Sequence, residues 1–435
     1  MIASEARLRI GFIPLADAAA LIVAVDKGFA AAEGLDVELI REVSWSNVRD
    51  KLNIGLFDAA HLLAPIAIAS SLGLGHVKVP IVAPFGLGVN GNAITVSPAL
   101  HAAIAAAGDG NILDPMVSAR ALARVVAKRK MRGEEPLTFG MTFPFSTHNY
   151  HLRFWMAAGG VDPDEDVRLV VLPPPYMVES LANGQVNGFC VGAPWNSVAV
   201  DLGIGFILHF VCEILPRAAE KVLAVRSRWA DEHPQTLLRL VRAHRRAAAF
   251  VEDTANREEV TAMLAAPNRI GVAAEVIRRT LDGRMKVAPD GTVRVSDRYL
   301  LIGRKGAARP EPAQAAWLYA QMVRWGRRRS RPNCWRRRRR SSGLISTTRP
   351  WSMGRSTSTA NPPTGSAHLP VPPSIQMTSP PISAAARSDT RETCPSGWGS
   401  FALHKIFARM LLAGQIARVR SGCRDPVVPA YPLIY

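Results

Sequence analysis

Five cysteines and one run of five arginines are the residues whose types most readily suggest chemistry in this chain. Their spacing excludes more than it offers. Cys190 and Cys212 lie in the body, and Cys334, Cys394 and Cys423 near the end. No pair has zinc-type spacing, and an odd count closes no disulfide framework. The two body cysteines read as small buried hydrophobes. The arginine run at 336–340 would ordinarily mean nucleic-acid contact or an unfolded stretch. No nucleophile stands in a motif with its base, and no glycine-rich phosphate loop or iron-binding cysteine cluster is present. Catalysis therefore has no support in the motifs.

Charge divides the chain in two. The formal net charge is +18, yet residues 327–435 carry 18 Lys and Arg against 3 Asp and Glu, leaving 35 against 32 for residues 1–326. The body is close to neutral, which argues against direct nucleic-acid binding by its folded part. At 48% hydrophobic residues the chain has ample material for a core. No run of roughly 20 uncharged apolar residues marks a membrane span. The opening "MIASEARLRIGFIPL" lacks a basic region followed by a long apolar run. The expected location is cytoplasmic, or periplasmic if a leader lies upstream.

Any binding groups must be positioned by an alternation of strands and helices over residues 8–326. Strands are expected at 8–13, 35–40, 76–86, 92–97, 137–145 and 167–175, and within 57–65 and 186–192. Helices are expected at 18–27, closed by Gly28, and at 47–54, 176–185, 234–252 and 257–266. A further helix follows Ser146 or Thr147 as N-cap and stops at Gly159 and Gly160. This rhythm predicts an α/β protein with parallel-rich sheets. Two lobes are expected: a first from 7–97, a second from 98–220, and a return to the first over 221–326. Such lobes close around a ligand in their cleft.

The stretch "GFIPLADAAALIVAVDKGFAAAEGLDVELI" (11–40) is joined by "SWSNVRDKL" (44–52), "GNAITVS" (91–97) and "FPFSTHNYHLRFWMAAGG" (143–160). With "PPPYMVESLANGQVNGFCVGAPWN" (173–196) and "AAEKVLAVRSRWA" (218–230), they resemble the nitrate- and bicarbonate-binding family of solute-binding proteins. The resemblance covers about residues 7–326. It implies a two-lobed, periplasmic-binding-protein-like (type II) clamp with a ligand cleft between the lobes, and for this chain no cofactor and no metal are expected. Within the family the chain is similar to the cytoplasmic nitrate/nitrite sensors of the NasS type. Their implied partner is a NasT-type RNA-binding antiterminator, released when nitrate binds. The alternatives are the substrate-binding component of a nitrate importer and, in another class, a pyrimidine-precursor-synthase-like enzyme on the same fold.

Four residues match the family's ligand positions. Trp45 offers an indole N–H, Asn92 an amide, His148 an imidazole N–H and Lys221 a positive charge. Nitrate, a flat monoanion with three acceptor oxygens, needs such donors and one compensating cation. His148 also lies in the first turn of its helix, where free N–H groups favour an anion. Bicarbonate brings a proton, and its binders in this family are expected to supply a carboxylate and Ca²⁺. Asn92 is uncharged and no acidic cluster adjoins these positions, so nitrate or nitrite is the expected ligand. Two positions depart from the family: Ala193 stands where many relatives have Glu, and Tyr176 where Gln or Arg is common. Trp195, placed in a loop after Pro194, is either structural or cleft-lining.

The tail reads as a shifted frame. If the frame slips near Gly326, the arginine run becomes an alanine-rich helix, and Asn333–Cys334 and Cys334–Trp335 each reread as leucine. "SGLISTTRPW" can become "RPDLYDAAL", like the family's ending. An out-of-frame, disordered 327–435 is therefore expected, with apolar surface on the first lobe left uncovered.

Overall fold

Two sheets organise the computed structural model, which describes residues 7–326. The expectations for residues 327–435 lie outside the described residues. The first sheet holds β1 (Leu8–Phe12), β2 (Val37–Arg41), β3 (Ala59–Leu63), β4 (Ile81–Asn90), β10 (Ala219–Arg226) and β13 (Leu300–Leu301). The second holds β5 (Asn92–Val96), β6 (Thr138–Met141), β7 (Arg168–Val171), β8 (Gly188–Gly192) and β9 (Phe206–Phe210). Strands β11 (Arg284–Lys286) and β12 (Val293–Val295) form a separate antiparallel pair.

Strand order is β13-β4-β10-β3-β1-β2 in the first sheet and β7-β6-β8-β5-β9 in the second. Both sheets are mixed rather than parallel-rich as expected, with, among the described residues, four parallel strand pairs and five antiparallel ones between them. Strand β1 pairs in parallel with β2 and β3, and β6 with β7 and β8. The strands that cross between lobes run the other way: β10 is antiparallel to β3 and β4, and β5 to β8 and β9.

The lobe boundaries differ from those read in the sequence. The chain leaves the first lobe at Asn90 and Gly91, not at residue 97, because β5 pairs within the second sheet. It re-enters with β10 at Ala219, not at residue 221. Apolar runs mark both strands, but an apolar run does not say which sheet it joins. Asn90 and Gly91 both take positive φ, 63° and 85°, so the turn between β4 and β5 demands left-handed backbone twice in succession. The strand expected at 76–86 begins instead after Pro80 and continues to Asn90. Pro84 lies within it, where the β4–β10 register shifts, as a strand proline without an N–H requires.

Helices cover both faces of each sheet. Ala19 to Ala24 in the helix Ala19–Asp26 are completely buried beneath the long helix Pro234–Glu252. Along β10 the side chains alternate. Leu223 and Val225 join this core, while Val222 and Ala224 join the one on the opposite face with Trp45, Leu62 and Ile66. In the second lobe the helix Thr147–Ala158 ends against the helix Pro115–Met131, which the patterns do not mark. Gly159 is required there, since a β-carbon would stand 2.2 Å from the Ala119 backbone. Trp195 opens the helix Trp195–Asp201 rather than lying in a loop, and its partly buried ring packs against cores of both lobes.

Candidate ligand site

Local signals place each predicted group. The Ser44 hydroxyl accepts the Asn47 N–H and starts the helix Trp45–Asn53, with Trp45 in its first turn. Ser146, not Thr147, caps the helix Thr147–Ala158 and sets His148 one residue inside it. Asn92 begins β5, immediately after the left-handed pair at the crossing. Lys221 lies in β10, opposite Leu63 of β3 and Gly88 of β4. Gly88 leaves room for Asp17, since a β-carbon there would lie 2.8 Å from the Asp17 β-carbon.

All four predicted residues come together, each 1% exposed or less. What joins them is a pair of carboxylates that the sequence reading missed. Lys221 Nζ donates to Asp17 Oδ2 at 2.9 Å and to Glu220 Oε1 at 3.0 Å, and lies 5.4 Å from the Trp45 ring centre. Asn92 Nδ2 donates to Glu220 Oε2 at 2.6 Å, and the Thr147 hydroxyl donates to the same oxygen. His148 Nδ1 is 3.0 Å from the Thr142 hydroxyl and 3.5 Å from Glu220 Oε1. The expectation that no acidic cluster adjoins these positions is therefore wrong. Glu220 neighbours Lys221 in sequence, but Asp17 reaches it only through folding. A signal existed: Asp17, His61 and Glu220 are polar residues inside apolar runs, each buried in the fold.

Burial and charge set the protonation states. For Asp17, burial would raise the carboxyl, but the Lys221 charge and His61 outweigh it and hold it well below the usual carboxylate range. Burial would likewise lower the Lys221 ammonium, yet Asp17 and Glu220 push it above the usual lysine value. The Ile13 N–H meets His61 Nδ1 at 3.5 Å, which assigns the ring proton to Nε2, 3.0 Å off-axis from Asp17 Oδ1. Burial lowers His61 despite Asp17, and lowers His148 further with help from the Lys221 charge. His151, one turn on, falls to about 4 for the same reason. Asp17 and Glu220 thus face one ammonium among neutral imidazoles.

These histidines predict acid lability. A ring held neutral in the fold binds fewer protons than its unfolded counterpart. Its contribution is present above the ordinary value of 6.5 and is lost as pH falls toward the folded value. His151 and His244, both at about 4, are each expected to cost about 3 kcal/mol by that pH. Unfolding midpoints should drop steeply between about pH 6 and 4. A flat midpoint across that window would show that these rings are not buried neutral groups.

Several buried polar atoms here have no protein partner. Trp45 Nε1, His148 Nε2 and both ring nitrogens of His151 are buried without a hydrogen bond, as is Asn92 Oδ1. Such atoms are costly unless a ligand or water meets them. Elsewhere, Ser118 Oγ lies 2.6 Å from His209 Nε2, and His209 Nδ1 lies 3.8 Å from Glu213. This line resembles a catalytic triad, but Ser118 and His209 are completely buried and the hydroxyl also accepts the Trp155 N–H. It braces the second-lobe core. Of the two departures from the family, Ala193 is buried, and its carbonyl accepts the Ala16 N–H across the lobes at 2.8 Å. Tyr176 is about half exposed at the surface.

Residues 3–265 match the NMT1-like family. The chain belongs to that family. Among relatives of this NMT1-like chain, the nitrate/nitrite binding protein NrtA of Synechococcus elongatus is 31% identical over 325 residues, covering 73% of this chain and 71% of NrtA. The nitrate import ATP-binding protein NrtC of Synechocystis is 34% identical over 321 residues. That match covers 73% of this chain but only 46% of NrtC, so the chain spans less than half of that relative. The crystal structure of the periplasmic nitrate-binding protein NrtA from Synechocystis aligns with a TM-score of 0.68 at 28% identity, covering 74% of this chain and 82% of that one. The two-lobed architecture is periplasmic-binding-protein-like, as the resemblance implied. Among the described residues, no helix is long and apolar enough to cross a membrane.

Proposed function

We propose that the chain binds a small planar oxyanion, nitrate or nitrite, between its lobes, and that binding draws the lobes together. One observation carries this reading: Trp45 Nε1 of the first lobe and His148 Nε2 of the second are both buried without a partner. They belong to one polar cluster, linked through Lys221 and Glu220. The indole N–H, an ammonium and, in the tautomer whose Nδ1 accepts from the Thr142 hydroxyl, the His148 Nε2–H suit an acceptor-only anion. Trp45, Asn92, His148 and Lys221 are the proposed ligand residues. The names of the relatives agree with this ligand class.

Bicarbonate is the second reading, favoured by the Glu220 carboxylate. An ionised carboxylate only accepts hydrogen bonds, and bicarbonate alone of these ions brings an O–H to donate. Asn92 Oδ1, also buried and unpartnered, is a further acceptor.

The test is calorimetric titration with nitrate, nitrite and bicarbonate against chloride at equal ionic strength. A bound anion at about 100 times its Kd should add roughly 2.7 kcal/mol to the folded state. Trp45→Phe keeps the ring but removes the N–H, and should weaken binding about tenfold. Unchanged affinity would remove Trp45 from the site, and no response to any oxyanion would sink the reading.

The finer role proposed is sensing in the cytoplasm: ligand closure shifts the chain between a state bound to a NasT-type antiterminator and a free one. This role rests on sequence resemblance. Its rival is delivery of the anion to an importer. A NasT-type protein should bind the ligand-free chain and be released by nitrate. Absence of that complex would leave the importer role.

A further inference from the structure

The oxyanion reading meets a charge problem at Lys221, and its resolution names a regulator of the same site. Lys221 Nζ is already paired with Asp17 at 2.9 Å and Glu220 at 3.0 Å, with all three groups buried. A nitrate reaching the Trp45 and His148 nitrogens would be the third anion around one ammonium. The other titratable groups nearby offer no compensation. His61 on β3, and His148 and His151 on the helix Thr147–Ala158, are neutral, their values lowered first by burial. Burial pushes Cys190 on β8 and Tyr299 upward, with Glu220 adding to it at Cys190 and Asp17 at Tyr299, so they too stay neutral.

Glu220 is the group placed to relieve this. Its carboxylate receives hydrogen bonds from Lys221, Asn92 and Thr147, and so takes donors from both lobes that an incoming anion would seek. Once protonated, it becomes a donor and leaves one ammonium facing Asp17 and the ligand. Asn92 Oδ1, buried without a partner, is a second acceptor that an acceptor-only anion cannot satisfy.

We propose that this site binds its oxyanion together with one proton, and that Glu220 accepts that proton, from water when the anion has none or as the hydrogen bond of an anion that carries its own. The proposal rests on the oxyanion reading above. The balance is one anion and one proton per site. With nitrate the proton ends on a Glu220 oxygen, and with bicarbonate it stays on the ligand as an O–H donated to Glu220.

The experiment is titration of the wild-type chain with nitrate and with bicarbonate in amine buffers from roughly pH 7 to 9. Nitrate affinity should fall about tenfold per pH unit. Affinity for bicarbonate, calculated on the bicarbonate ion itself, should change less than about threefold over the same range. In Glu220→Gln the nitrate dependence should flatten. Nitrate binding that is level across this range in the wild type overturns the proposal while leaving the oxyanion reading intact. A slope that survives in Glu220→Gln overturns it too, because the proton then goes elsewhere. If neither anion binds at any pH, the oxyanion reading itself has failed, and this inference with it. Should Glu220→Gln not fold, the two wild-type slopes decide the matter alone.

Discussion

Lys221→Met is expected to destabilise the fold by roughly 3–5 kcal/mol, the cost of breaking a buried ion pair from one side. The ammonium is the shared partner of two buried carboxylates, at 2.9 and 3.0 Å, and nothing replaces it when it goes. At roughly 2 °C per kcal/mol for a domain of this size, the thermal midpoint should fall by about 6–10 °C. The triple change Asp17→Asn, Glu220→Gln, Lys221→Met should recover most of the loss, because it removes both stranded charges and their desolvation cost. A Lys221→Met midpoint within about 2 °C of wild type would show that the three groups are not ionised together. The linkage also has a sign at each end of the pH scale. Asp17, held low, contributes stability above the ordinary value of 3.8 that is lost as pH falls below it. Lys221, held high, contributes stability below 10.5 that is lost as pH rises through its folded value. Because Lys221 is structural as well as cationic, Trp45→Phe is the cleaner probe of binding.

Asn90→Ala should cost about 3–4 kcal/mol, from lost hydrogen bonds and from backbone handedness. Asn90 sits at φ 63°, completely buried, where β4 passes toward the second lobe. Its Nδ2 donates to the carbonyls of Pro216 and Arg298 at 3.2 and 2.9 Å, and its Oδ1 accepts the Ala218 N–H at 2.9 Å. One side chain therefore ties the outgoing crossing, the return crossing and the segment before β13. Alanine strands a buried N–H and weakens two carbonyls, at roughly 1–3 kcal/mol for the donor alone. It also places a β-carbon in the left-handed region, for about 1 kcal/mol more. Asn90→Gly removes the same hydrogen bonds but relieves the backbone, and should be about 1 kcal/mol more stable than Asn90→Ala. Denaturant midpoints at unchanged slope measure both. Equal midpoints for the two variants would show that handedness plays no part, and a loss under 1 kcal/mol for Asn90→Ala would rule out the tie.

Much of the fold was legible because its signals are local. Gly28 stops a helix by adopting φ 77°, Ser44 and Ser146 supply capping oxygens, and apolar runs bury β3, most of β10 and the last three residues of β1 on both faces. The helices Pro98–Ala107 and Pro115–Met131 were not marked, although Ser97 and Asp114 cap them and a proline opens each. The sheet assignment of β5 was misread because the apolar run "NAITV" is compatible with either sheet. Only hydrogen bonding to β8 and β9 decides it.

The buried polar cluster divides the same way. By itself the sequence determined the two-lobed α/β class and the near-neutral body, and it singled out Trp45, Asn92, His148 and Lys221, which the fold gathers into one buried polar cluster. Only the tertiary structure decided the charge of their surroundings. Asp17 is 204 residues from Lys221 in the chain, and Asn92 is 128 residues from Glu220. No local pattern encodes those pairings, because electrostatic energy depends on distance through the folded interior and not on separation along the chain.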